Sequence, residues 1–139
     1  MLSVTKQFRF EAAHAILNYD GLCKNIHGHS YILHVTIGGK KDPETQMVID
    51  FKLVKKWVDE TFLTHVDHAL ILNHNNPEIS ALESYVGKKY FINGEPTAEN
   101  LLETIAELLL PKLPSNTKLL KLKLYETESS YAEWTPDIA

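Results

Sequence analysis

Leu2, Val4, Phe8 and Phe10 alternate with Ser3, Thr5, Gln7 and Arg9, the period-2 pattern of a half-buried strand. Tyr31, Leu33, Val35 and Ile37 alternate with Ile32, His34 and Thr36 and predict a second strand ending at Gly38-Gly39. Asp42-Pro43-Glu44-Thr45 reads as a turn, and Met47-Val48-Ile49 as a short return strand. The period then changes. Phe51, Val54, Trp57, Val58 and Phe62 form the stripe of a helix that Asp50 is placed to cap. Asn73 to Asn76 breaks the pattern, and Pro77 is suited to start a short helix reaching about Tyr85. Tyr90-Phe91-Ile92 predicts a small extended excursion, turned by Asn93-Gly94. Pro96-Thr97 opens a second long helix, with Thr97 as cap and Leu101, Leu102, Ile105, Leu108 and Leu109 as its buried face. Leu120, Leu122 and Leu124, alternating with Lys121 and Lys123, predict a closing strand. The order strand, strand, helix, helix, strand gives an α+β class with an antiparallel sheet covered on one side. No internal repeat or linker divides the chain, so residues 1–139 read as one domain.

Composition narrows the function classes. A chain of 139 residues with 44% hydrophobic and 23% charged positions suits a single globular domain with a real core. Fourteen basic against eighteen acidic residues leave a net charge of -4, which argues against a nucleic-acid partner. The pairs Lys40-Lys41, Lys55-Lys56 and Lys88-Lys89 read as solvated surface. One cysteine excludes an internal disulfide and fits a reducing compartment. The opening residues lack the apolar core of a signal peptide, and no apolar run is long enough to span a bilayer. A cytoplasmic location without membrane partners is the expectation.

Parity points to a site. His14 shares the even parity of Phe8 and Phe10, and His27 and His29 extend the odd face of Tyr31 and Leu33. Glu126 continues the face of Leu120, Leu122 and Leu124. An inward carboxylate needs a partner, because burying an unpaired charge costs several kcal/mol. A bulge near Ala12 or Gly28 would reverse these directions. Three imidazoles suit a catalytic zinc with its fourth position open; the plain alternative is histidines satisfied by backbone hydrogen bonds. Gly28 fits a place where a ligand or backbone comes close. Cys23, in a stretch that reads as a loop, is either a small buried hydrophobe or a thiolate favoured by a nearby metal. His65, His68 and His74 form a rival metal cluster, while Asp67 with His68 also suits proton transfer, or simply a polar helix end. His34 and His74 read as surface. Thr97 and Glu99 are explained by pattern alone as a helix cap and a first-turn acid.

Phe8-Arg9-Phe10-Glu11-Ala12-Ala13-His14, Cys23-x-x-x-His27-Gly28-His29, Val48-Ile49-Asp50-Phe51, Asp67-His68, Pro96-Thr97-Ala98-Glu99-Asn100 and Tyr125-Glu126-Thr127 occur in that order. In this the chain resembles the 6-pyruvoyl-tetrahydropterin synthase superfamily over nearly its whole length, and most resembles the 6-carboxytetrahydropterin synthase branch of queuosine biosynthesis. The resemblance implies zinc held by His14, His27 and His29. It implies catalysis by Cys23, Asp67 and His68, and substrate binding by Glu126 with help from Thr97 and Glu99. The implied substrate is 7,8-dihydroneopterin triphosphate, cleaved to a 6-carboxy pterin with acetaldehyde and triphosphate released. A 6-pyruvoyl product and a non-catalytic pterin- or metal-binding protein are the alternatives. The implied architecture is the tunnelling fold: a four-stranded antiparallel sheet with two helices on one face, forming a barrel as a homo-oligomer (trimer or hexamer) with sites between subunits. Asn73 to Glu95 is longer than in the shortest members, and Ala98 stands where some have threonine.

Overall fold

Both N-terminal strands run longer than their alternating segments, and the extensions carry the histidines. The computed structural model describes residues 1–16, 25–75 and 85–137. Strand β1 spans Leu2–His14 and β2 spans His27–Gly39, paired antiparallel with Phe10 opposite Tyr31 and His14 opposite His27. No bulge interrupts this register, so the predicted parity holds through Ala12 and Gly28.

Helix α1, Phe51–Val58, starts as expected, with the Asp50 carboxylate accepting the Lys52 amide at 2.8 Å. It continues through a π-helical stretch, Asp59–Leu63, into a last turn, α2, Thr64–Val66. Val54, Val58, Phe62 and Val66 are buried, whereas Phe51 stays exposed. Strand β3, Ala69–Asn73, follows, then β4, Lys89–Ile92, and helix α3, Ala98–Leu109. Gly94, at φ +92°, takes the left-handed turn that the Asn93-Gly94 pair predicts. Strands β5, Thr117–Thr127, and β6, Ser130–Trp134, close the described chain.

The sheet has six strands in the order β4-β3-β1-β2-β5-β6. This corrects the four-stranded antiparallel expectation. β1, β2, β5 and β6 are antiparallel, but β3 lies parallel to β1, and β4 parallel to β3. The reason β3 escapes pattern reading is physical. Ala69, Leu70, Ile71 and Leu72 are all buried, so the strand has no polar face and no alternation. Met47-Val48-Ile49 is not a strand; Val48 and Ile49 are buried by a loop in which the Asp42 amide donates to the Met47 carbonyl. In β5 the register shifts opposite Thr36/Ile37, which puts Leu119 rather than Leu120 in the core. The helix expected from Pro77 to Tyr85 falls almost wholly outside the described residues.

One face of the sheet and the inner sides of the helices share a single core, with Phe10 stacked on Tyr31 (centroids 4.7 Å apart) and edge-on to Phe62. Among the described residues no helix is long and apolar enough to cross a membrane.

Candidate metal centre and adjoining pocket

The β1–β2 register brings the three predicted imidazoles together. His14 faces His27 directly, and His29 pairs with Ala12 two residues along, so all three project from the core face at one end of the ladder. The Nε2 atoms of His27 and His29 each lie 3.1 Å from that of His14, and one ligand atom from each residue falls within 4.8 Å of the others. The outer ring nitrogens fix the tautomers. His14 Nδ1 donates to the Pro96 carbonyl at 2.6 Å, and His27 Nδ1 donates to the Asn25 carbonyl at 2.7 Å. A carbonyl only accepts, so each neutral ring carries its proton on Nδ1 and presents a bare lone pair on Nε2. Two lone pairs at this separation repel unless a cation lies between them. Zinc–nitrogen bonds of about 2.0–2.1 Å in a tetrahedral site place ligand nitrogens roughly 3.3 Å apart, so this donor set fits zinc.

Electrostatics favour the same state. Burial pushes His14 and His29 below the ordinary imidazole value of 6.5, outweighing the opposing pull of Glu126 on both and of the Pro96 hydrogen bond on His14. Neutral imidazole is the form that ligates. A Cβ on Gly28 would meet only the Ala12 carbonyl oxygen, at 3.5 Å, so the backbone there makes no demand for glycine. Its missing side chain instead leaves the adjoining pocket open.

That pocket, of about 600 Å³, is lined by His29, Gly28, Ser30, His68 and the segment from Tyr85 to Lys88. Of the cluster only His29 lines this pocket with His68; Glu11, Ala13, Gly28 and Ser30 belong to the opposite face of the ladder. Asp67 Oδ1 lies 3.1 Å from His68 Nδ1 and accepts the Glu11 amide at 2.9 Å. The His68 amide donates to the Glu11 carbonyl, and His68 adopts φ +63°. Both backbone groups of Glu11 therefore tie the pair to β1, a role that no side-chain pattern reveals.

The Glu11 amide, more than any other group, holds the Asp67 carboxyl below its ordinary 3.8. A depressed carboxylate contributes stability above its unfolded value and loses it as pH falls through the folded one. We expect the Asp67 carbon resonance to titrate below pH 3.8 in folded protein, so that Asp67 stays ionised throughout the neutral range. A midpoint at or above 3.8 by NMR would contradict this anchoring.

Glu126 sits where β5 shifts register between Tyr125 and Thr127, and its Oε2 lies 3.9 Å from His29 Nε2. It also borders a second cavity of about 410 Å³ with Glu99, Ala98 and Tyr131. Thr97 caps α3 by accepting the Asn100 amide at 3.1 Å, the role its pattern predicts. Cys23 lies outside the described residues. The rival cluster does not assemble. His65 turns to the Glu60 carbonyl, His68 to Asp67, and among the described residues only His14, His27 and His29 form a metal-competent group. Tyr31, whose hydroxyl is 3.4 Å from His14 Nδ1, and the carbonyls of Pro96 and Asn25 complete the surroundings. Both carboxylate oxygens of Glu95, next to Pro96, are buried without a partner among the described residues.

Residues 3–137 match the model of the family described as 6-pyruvoyl tetrahydropterin synthase. The chain is 38% identical to a 6-carboxy-5,6,7,8-tetrahydropterin synthase of Rickettsia bellii, over 96% of this chain and 99% of that protein. It is 32% identical to the protein of the same name from Haemophilus influenzae, over 96% and 99%. The solved structure of Caenorhabditis elegans 6-pyruvoyl tetrahydropterin synthase shares the fold at a TM-score of 0.74 and 23% identity, covering 98% of this chain and 96% of that one. With its histidine cluster, its extended β1–β2 ladder and its full-length relatives, the chain belongs to the 6-pyruvoyl tetrahydropterin synthase family.

Proposed function

We propose that this protein is a zinc-dependent lyase converting 7,8-dihydroneopterin triphosphate and water to 6-carboxy-5,6,7,8-tetrahydropterin, acetaldehyde and triphosphate, a step of queuosine biosynthesis. The observation that carries the reading is the convergence of three imidazole Nε2 atoms at one end of the β1–β2 ladder. The names of the full-length relatives support the 6-carboxy branch.

Bound zinc would supply Lewis acidity toward the vicinal hydroxyls of the substrate side chain, lowering their pKa. The chain's own residues do the rest. Glu126 accepts hydrogen bonds from the amino-pyrimidine edge of the pterin, and Glu99 and Thr97 shape that end of the site. His68, oriented by Asp67, moves a proton on one side of the side chain, and the Cys23 thiolate moves one on the other. The working enzyme is a homo-oligomer, a trimer or hexamer, with sites between subunits.

The test is turnover of 7,8-dihydroneopterin triphosphate by zinc-loaded protein, with the pterin identified by mass and acetaldehyde assayed. A carboxylated pterin with acetaldehyde is expected. A pyruvoyl pterin without acetaldehyde would move the assignment to the other branch, and no turnover by folded, metal-loaded protein would favour a binding role. Replacing Cys23→Ala should lower kcat by about 10²-fold or more, the usual worth of a proton-transfer group, with bound metal unchanged.

A further inference from the structure

The turn that presents His68 leaves two backbone carbonyls to be satisfied. In a continuing helix the amide of residue 68 would bond the Thr64 carbonyl four residues back. Here that amide is diverted to the Glu11 carbonyl of β1, and the positive φ of His68 takes the chain out of the helix. The Lys88 ammonium meets the carbonyls so exposed, donating to Thr64 O at 2.8 Å and to Asp67 O at 2.6 Å. A cation at a helix C-terminus is favourable toward the unpaired carbonyls there. Lys88 is itself fixed, because its carbonyl accepts the Leu70 amide at 3.0 Å just before β4 pairs with β3. Lys88 is exposed, as its lysine pair predicts, and it also links the β4 edge of the sheet to the turn carrying Asp67 and His68.

We infer that Lys88 is a positioning residue for the reaction, clamping the Thr64–His68 turn so that the His68 imidazole keeps its orientation at the pocket it lines. The inference rests on the proposed proton-transfer role of His68. Displacing a catalytic group by about 1 Å can cost up to about 10²-fold in rate. Removing the clamp should therefore act on kcat and leave substrate binding alone.

Zinc-loaded Lys88→Met is compared with Lys88→Arg, His68→Ala and the parent in steady-state turnover of 7,8-dihydroneopterin triphosphate. Metal content and thermal midpoint are measured in parallel. In Lys88→Met, kcat should fall about tenfold with KM and bound metal unchanged. Lys88→Arg, which keeps a charged donor able to span two carbonyls, should recover to within about threefold of the parent. The clamp is refuted if Lys88→Met keeps kcat within twofold while His68→Ala is strongly impaired. It is equally refuted if Lys88→Met raises KM at constant kcat, since Lys88 would then be binding substrate. Full turnover by His68→Ala would instead overturn the proton-transfer reading itself, and the inference with it.

Discussion

His14→Ala should lose its bound metal and at least about 10³-fold in turnover, the largest functional effect of any single substitution in this chain. The estimate follows from the several kcal/mol by which a Lewis acid stabilises developing charge; about 4 kcal/mol corresponds to that factor. His14 is central because its Nε2 is the one that lies 3.1 Å from both others. The substitution also affects folding. His14 is 2% exposed, and its loss leaves the Pro96 carbonyl without its donor, at a cost of about 1–3 kcal/mol. His29→Ala separates the two effects. That ring is only half-buried, on the pocket wall, so its removal should release metal and turnover with a smaller drop in thermal midpoint. Metal content by mass spectrometry, paired with calorimetry, checks both variants. Retention of one tightly held metal per chain by His14→Ala would contradict the assignment.

The largest effect on stability is expected from Phe10→Ala. Phe10 is 2% exposed, parallel to Tyr31 at 4.7 Å and perpendicular to Phe62 at 5.5 Å, so it joins β1, β2 and the α1 side of the core. Truncating a buried phenylalanine costs about 3–5 kcal/mol. In a domain of this size that lowers the thermal midpoint by roughly 10–20 °C. Phe10→Leu retains most of the volume and loses mainly the aromatic contacts, worth about 1 kcal/mol beyond buried area. The consequence reaches the site, because Phe10 pairs with Tyr31, whose hydroxyl lies beside His14. Metal affinity should therefore weaken in Phe10→Ala under conditions where the variant is still folded. Calorimetry that placed Phe10→Ala within 4 °C of the parent would remove Phe10 from its place at the centre of the core.

Wherever one face of an element is wet, the amino-acid sequence displayed the architecture. The alternation in β1 and β2 carried through to the histidines because the ladder between them runs without a bulge. Asp50 and Thr97 announced their helices because a cap is a local interaction, confined to a few residues. β3 was hidden because it is buried on both faces, and the shift that exchanges Leu119 for Leu120 is set by pairing with β2, a distant segment. The site divides along the same line. Side chains that could hold a metal or that line the pocket recur at readable spacings. The backbone groups that orient them do not, since the Pro96 and Asn25 carbonyls and the Glu11 amide carry no residue-specific signature. Lys88 shows both limits, being an ordinary lysine given its role only by the pairing of β4 with β3.

The most direct test of the account is the affinity of metal-free protein for zinc, measured by competition with a chromophoric chelator beside the variant in which His14, His27 and His29 are all alanine. One zinc per chain is expected, held with submicromolar affinity by the parent and lost in the triple variant while the remaining fold persists. Equal affinity in the two proteins, or zinc no tighter than micromolar in the parent, would contradict it.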